Sequence, residues 1–267
     1  MTPLEDNFSD VLKKALAGTG SSTTVIAEKS GVPKAEVQAL LQGHFHEAPA
    51  RQLADALHLR ADALVRLARD EYLPVVPPMK SIMQVTTPYA GMTVNAYILW
   101  DPESRGAAIF DTGADASPLL DIVRREQLDV VGIFLTHSHP DHVGALAALK
   151  QALGVEAWSS ANEPVRGTHT FRPGELFNAG CHFIRTRHTP GHSPGGVTYV
   201  IEGRLLSAAI VGDALFAGSI GGVRDGYTEA LSAIRREILS LPDSTILCPG
   251  HGPMTTVAQE KANNPFF

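Results

Sequence analysis

The chain has 267 residues, 44% of them hydrophobic, and its 22 Lys and Arg against 28 Asp and Glu leave a net charge of −6. That length holds one large domain or a catalytic domain with a small companion, and the acidic balance argues against strong non-specific attachment to nucleic acid or anionic membrane. Two cysteines, Cys181 and Cys248, exclude a disulfide framework, and no apolar run approaches the roughly 20 residues of a membrane helix. The start, Met1-Thr2-Pro3-Leu4-Glu5-Asp6, is acidic without an apolar segment, so the cytoplasm is the expected compartment. Both cysteines fall in strand-like runs and read as buried free thiols, although Cys248, close before His251, could serve as a softer ligand.

In chain order, residues Phe8 to Ala17 carry Phe8, Val11, Leu12, Ala15 and Leu16 at helical spacing. Gly18 to Ser22 breaks the pattern, and Ser22 or Thr23 can cap a second helix, Thr24 to Ser30, which Gly31 ends. Pro33 opens a third helix that turns Val37, Leu40 and Leu41 inward and stops at Gly43. Amphipathic helices over Ala50 to Leu57 and Ala61 to Asp70 follow. The stretch Ile26 to Pro33, then Val37, Leu40 and Gly43, then Leu53 to Leu57, resembles the helix-turn-helix of the Cro/cI-type repressor family. That resemblance implies DNA binding, but Glu28, Glu36 and Glu47 offset Lys29, Lys34 and Arg51, and the reading helix offers only Lys34 and Gln38 as base-edge donors. The alternative is a packing module: a homodimer in which residues 1 to 76 pack on a partner chain, or helices that shape an active-site entrance. Pro74, Pro77 and Pro78 form a stiff spacer, which places a boundary between a helical domain, 1–76, and a catalytic domain, 77–267.

Beyond the spacer, Ser81 to Thr87, Met92 to Trp100 and Ala107 to Phe110 read as strands, and Leu119 to Arg125 as a helix. The continuous apolar run Val130 to Leu135 reads as a buried strand that delivers Thr136-His137-Ser138-His139-Pro140-Asp141-His142 into a turn before a helix ending at Leu153. On a strand His137 and His139 would face one side. Three histidines and a carboxylate crowded beside a buried strand have little structural purpose, and they suit zinc, or iron or manganese of similar geometry. A short strand, Val155 to Trp158, then hairpins over Glu175 to Arg187 and Val197 to Val211 (its second strand starting at Leu205), a helix over Tyr227 to Leu239 and a strand over Thr245 to Cys248 complete the order.

The His-x-His-x-Asp-His run resembles the signature of the metallo-β-lactamase superfamily. Its further positions have counterparts in His192 of Pro190-Gly191-His192, Asp213 of Gly212-Asp213-Ala214 and His251 of Pro249-Gly250-His251-Gly252. The resemblance runs from about Met79 onward. It implies an α/β fold, the αββα sandwich, preceded here by the small all-α domain. It implies two divalent metal ions, zinc expected and iron or manganese compatible. His137, His139 and His192 would hold one, Asp141, His142 and His251 the other, and Asp213 would bridge them. Two such ions roughly 3.5–4 Å apart lower the pKa of a shared water, giving a hydroxide nucleophile, and polarise a carbonyl; Asp141 is the candidate catalytic proton acceptor. Asp111 of Asp111-Thr112-Gly113 would support the ligands or simply shape a turn, and His188, next to the His192 loop, is a candidate to line the site. His44, His46, His58, His169 and His182 read as surface or packing residues.

Within the superfamily, Gly212 to Gly221 and Pro249 to Thr256 resemble the short glyoxalase II-like hydrolases, which implies a hydroxyacylglutathione hydrolase-like thioesterase acting on a small-molecule thioester. The chain stops at Phe267, short of the helical region by which longer members hold glutathione, which puts glutathione selectivity in question. The alternatives are a persulfide dioxygenase-like iron oxidoreductase and a DNA-binding regulator with a metal-sensing domain. Against the former, that family has Pro-Ala-His-Asp where this chain has Pro249-Gly250-His251-Gly252. Arg187 and Arg224 flank ligand loops and could take a substrate carboxylate, or be plain surface arginines.

Overall fold

A computed structural model describes residues 2–203 and 207–267. Five helices come first: α1 (Phe8–Gly18), α2 (Thr23–Ser30), α3 (Lys34–Leu41), α4 (Glu47–Ala56) and α5 (Ala61–Ala68). The Asn7 side chain accepts from the backbone N–H groups of Ser9 and Asp10 while the Asp10 carboxylate accepts from Asn7 N–H, so α1 starts on a reciprocal cap. Ser22 caps α2, and Gly31 ends it at φ 71°, a conformation that suits glycine. α4 begins before the expected Ala50, because Pro49 sits in its first turn, where a missing N–H is harmless.

Two six-stranded sheets follow. The first runs β1 (Ile82–Tyr89), β2 (Met92–Trp100), β3 (Gly106–Phe110), β4 (Asp129–Phe134), β5 (Ala157–Ser160), β6 (His169–Phe171) in spatial order, parallel from β3 onward. The second runs β12 (Thr255–Thr256), β11 (Ile246–Pro249), β10 (Ser207–Gly212), β9 (Val197–Glu202), β8 (His182–His188), β7 (Leu176–Ala179). The expected start of β10 at Leu205 lies outside the described residues. Between the sheets lie Tyr97, Leu99, Phe110 and Phe134 from one face and Ile184, Tyr199, Ile201 and Cys248 from the other. Outside the first sheet, α6 (Ser117–Arg125) and α8 (Leu146–Leu153) bury Leu119, Ile122, Leu146 and Leu149. Outside the second, α9 (Tyr227–Glu237) does the same with Ala230 and Ile234. The layers are therefore the expected αββα sandwich preceded by helices.

The five N-terminal helices do not stand apart. Val11, Leu12, Ile26, Leu40, Leu53 and Leu64 belong to the same buried cluster as Val211, Leu215, Ile234, Ile238 and Leu247. The proline-rich stretch is pinned as well. The Tyr72 hydroxyl donates to Glu260 at 2.6 Å, and the Val75 backbone exchanges hydrogen bonds with the Gln259 side chain of α10 (Val257–Asn263).

Two expectations need correction. Cys181 is exposed, because it occupies the turn between β7 and β8 rather than a strand. The helix after the histidine run is broken into α7 (Pro140–Val143) and α8, with Gly144 between them: a side chain there would lie 3.0 Å from the Pro140 carbonyl oxygen. No helix among the described residues is long and apolar enough to cross a membrane.

Candidate metal centre

The strand β4 ends at Phe134, so His137 and His139 sit in the turn beyond it and not on the strand itself. Their rings nevertheless meet at 4.6 Å between centroids. The structure brings together all seven residues singled out from the sequence. The His137 Nε2 and His192 Nε2 atoms lie 3.0 and 2.9 Å from His139 Nδ1. Beside them, Asp141, His142 and His251 form a second group with donor atoms within 4.8 Å of one another. Asp213 lies between the groups. Its Oδ2 is 3.3 Å from both His192 Nε2 and His251 Nε2, and its Oδ1 is 3.3 Å from His142 Nε2.

The outward nitrogens explain why the inward ones converge. His142 Nδ1–H donates to Asp111 Oδ2 at 2.8 Å, His192 Nδ1–H to the Gly222 carbonyl at 3.0 Å, and His251 Nδ1–H to the Thr93 carbonyl at 2.6 Å. Thr136 Oγ1 donates to Asp111, so it accepts from His137 Nδ1–H at 3.0 Å. With those protons outside, each inward Nε2 is left as the atom that faces the centre, and the carboxylates beside it draw positive charge into that space, a proton on His142 and His251 when no ion is bound. Two buried atoms make the point: among the described residues, His142 Nε2 and Asp213 Oδ1 have no hydrogen-bond partner. A donor set of imidazoles and carboxylates fits zinc, iron or manganese.

Backbone geometry holds the loops in place. Asp111 sits at φ 54°, uncommon for a residue with a side chain, and its carboxylate accepts from Thr136 N–H at 2.7 Å and Thr136 Oγ1 at 2.8 Å. One carboxylate thus orients His142 directly and His137 through Thr136. The His251 loop is tied to β2: Asn95 Nδ2 donates to the Pro249 and Gly252 carbonyls, and the Tyr97 hydroxyl to Pro249 at 2.7 Å. At Gly250 a Cβ would lie 2.1 Å from Asp213 Oδ1, so only glycine lets the strand end approach the centre.

The electrostatics split the imidazoles. Burial, then the neighbouring His142, pushes His137 well below the ordinary histidine value. Burial would also depress His142, but Asp213 and Asp111 outweigh it and hold that ring well above. His251, which burial likewise disfavours, is raised to about 10 by Asp141 and Asp213. Asp213, where burial alone would raise the pKa, is held well below the ordinary carboxylate range by His142, His251 and His137.

Glu163, in the loop after β5, was not foreseen. Its Oε1 accepts from Ser138 N–H at 2.9 Å and from the Ser138 hydroxyl, and its Oε2 from Gly195 N–H at 2.8 Å and the Ser193 hydroxyl. It clamps the His137–His139 turn to the His192 loop. His188 lies on the flank, its Nε2–H 3.1 Å from the Pro194 carbonyl, and is in none of the donor groups. Arg187 is turned to the Glu237 carbonyl at 2.9 Å, whereas Arg224 lines the open cavity of about 980 Å³ that reaches His139 and His192. Cys248 is buried in the inter-sheet core and is in no donor group.

Comparison with known proteins places this geometry. The profile of the Metallo-beta-lactamase superfamily matches residues 90–251. The chain is 33% identical to the hydroxyacylglutathione hydrolase GloC of Haemophilus influenzae over 205 residues, covering 67% of this chain and 95% of that one. Among solved structures, BLEG-1 B3 metallo-beta-lactamase is 32% identical with a TM-score of 0.60, covering 69% of this chain and 99% of its own. TTHA1623, solved in a di-iron-bound form, is 29% identical with a TM-score of 0.57, covering 69% and 100%. Sequence, fold and a donor set suited to divalent ions agree: the chain belongs to the metallo-beta-lactamase superfamily.

Proposed function

We propose that this chain is a dinuclear, metal-dependent hydrolase of thioesters, with zinc as the expected metal. The observation that carries the reading is the pair of donor groups joined by Asp213: His137, His139 and His192 on one side, Asp141, His142 and His251 on the other. Similarity to hydroxyacylglutathione hydrolase GloC supports thioesters as the substrate class. Two ions held by these residues would supply an acidified water and a Lewis acid for the substrate carbonyl. The chain's own groups do the rest. Asp141, whose side chain is only partly buried, has its Oδ2 3.3 Å from His251 Nε2 and is the acceptor for the proton released on attack. Asp111 and Glu163 keep the ligand loops in register, so the donors are in position before substrate arrives. The leaving thiolate needs little protonation, since a thiolate is a far weaker base than an alkoxide, and one carboxylate suffices.

Replacing Asp213 with Ala tests the reading. We expect about two metal ions per chain in the wild type, and in the variant a turnover of thioester lower by at least about a hundredfold. A variant that keeps full turnover and both ions would refute it. Oxygen consumption with a persulfide, without thioester cleavage, would favour an iron oxidoreductase instead.

A further inference from the structure

The cavity that opens onto His139 and His192 is lined on one side by Lys13, Lys14 and Ala17 of α1, which lies outside the superfamily match at residues 90–251. This wall is fixed. The Lys14 ammonium pairs with Asp6, donates to the Ile220 carbonyl at 2.8 Å and lies 4.9 Å from the Phe216 ring centre. That ring meets His251 edge-on at 5.6 Å. At the far end of α1, a Cβ on Gly18 would lie 2.3 Å from the Tyr227 ring, so helix and α9 are in direct contact. Lys14 is therefore committed to the scaffold. The other groups facing the space are not. Lys13 is exposed and donates to Asp10 at 3.0 Å and to the Ser9 hydroxyl at 3.4 Å, both on its own helix, weak surface pairings easily exchanged for a ligand. Arg224, which lines the same cavity, has no ion-pair partner among the described residues. Asp225 and Glu229 line the same space, so an apolar chain there would strip water from charges of both signs without compensation.

We propose that α1 is a substrate-contacting wall of the catalytic pocket, and that Lys13 and Arg224 take a carboxylate carried by the thioester away from the scissile bond. A guanidinium suits bidentate carboxylate recognition, and a lysine on a flexible stem can close on the same group. The inference rests on the thioester reading. It makes the N-terminal helices a selectivity element of the same active site.

The test uses the full chain loaded with metal and three thioesters of equal length. One has a carboxylate on the thiol half, one has it on the acyl half, and one is the neutral carboxamide twin. We expect kcat/KM for one of the charged substrates to exceed the neutral twin by about fivefold or more, and Arg224→Ala or Lys13→Ala to bring that preference down to about twofold or less through KM. Ala17 is exposed, so Ala17→Trp should fold, fill the wall and raise KM about tenfold for all three with kcat retained. Lys29→Ala, on α2, is the charge-matched control and should leave the preference unaltered. Equal kcat/KM for charged and neutral substrates, or an unchanged KM in Ala17→Trp, overturns the proposal. If the wild type cleaves none of the three, the thioester reading falls by itself. Calorimetric titration of 3-(methylthio)propanoate into the metal-free wild type and Ala17→Trp then decides the wall: about tenfold weaker binding in the variant supports it, and an equal Kd overturns it.

Discussion

Glu163 is the residue whose removal should be most instructive, because it is neither a donor to the centre nor part of the core. Glu163→Ala deletes four hydrogen bonds, two to backbone N–H groups and two to serine hydroxyls. The hydroxyls of Ser138 and Ser193 can rotate toward water, so their loss is cheap. The N–H groups of Ser138 and Gly195 are fixed and partly buried, and each stranded donor costs about 1–1.5 kcal/mol. Allowing for the solvent that already reaches this half-exposed carboxylate, the total is about 1–2 kcal/mol, or roughly 2–8 °C in Tm. Glu163→Gln keeps one carbonyl acceptor and should lose about half as much. The same change frees two ligand loops from each other, so metal affinity should fall about ten- to a hundredfold. Urea denaturation of the metal-free proteins measures the first effect, and competition with a chromophoric chelator the second. Glu163→Ala with stability within about 0.5 kcal/mol of wild type and undiminished metal affinity would refute the clamp.

Three further outcomes follow from the same geometry. Gly250→Ala places a Cβ 2.1 Å from Asp213 Oδ1 and 2.6 Å from His142 Cε1, so it should destabilise by about 1–3 kcal/mol and lose one of two metal equivalents; full retention of both would contradict the packing. Burial pushes the Glu260 carboxyl above its ordinary value, outweighing the donors Tyr72, Asn264, Thr255 and Gly218 N–H. A raised folded-state pKa means that the folded protein takes up the proton first. Wild-type stability relative to Glu260→Gln should therefore rise as pH falls from neutral toward about 4.3, the ordinary glutamate value. Urea midpoints of both proteins at pH 8 and pH 5 check the sign, and a wild type that loses stability relative to the variant between pH 8 and pH 5 would contradict it. His188→Ala should reduce turnover about tenfold or less, since the His188 ring hydrogen-bonds to the Pro194 carbonyl and Asn162 on the flank and is in none of the donor groups; a loss equal to that of Asp213→Ala would put His188 among the ligands.

Much of this architecture was legible because its signals are local. The apolar run Val130 to Leu135 and the histidines that follow it share one short stretch, so strand, turn and donor chemistry are read together. His192, Asp213 and His251 each follow a strand-like run, and Gly and Pro beside them mark the loops. What was illegible is long-range. Glu163 sits in Ser160-Ala161-Asn162-Glu163, with no period or motif, and its meaning lies 25 and 30 residues away at Ser138 and Ser193. Val11, Leu12 and Leu40 announce a buried face, but helical periodicity does not say that the face meets Val211 and Ile238. The hairpin turn at Gly180-Cys181 carries no Asn-Gly or Asp-Gly pair, so Cys181 reads as strand although it lies in the exposed turn. The strand β6 has three residues, too few for alternation to register.

The most direct test of the account is hydrolysis of a carboxylate-bearing thioester in an anaerobic chamber, before and after removal of metal by chelator and dialysis. The account predicts one thiol and one acid released per thioester without oxygen, loss of at least about 99% of activity on chelation, and recovery with about two equivalents of zinc. Undiminished cleavage by the metal-free protein, or an absolute requirement for oxygen, would contradict it.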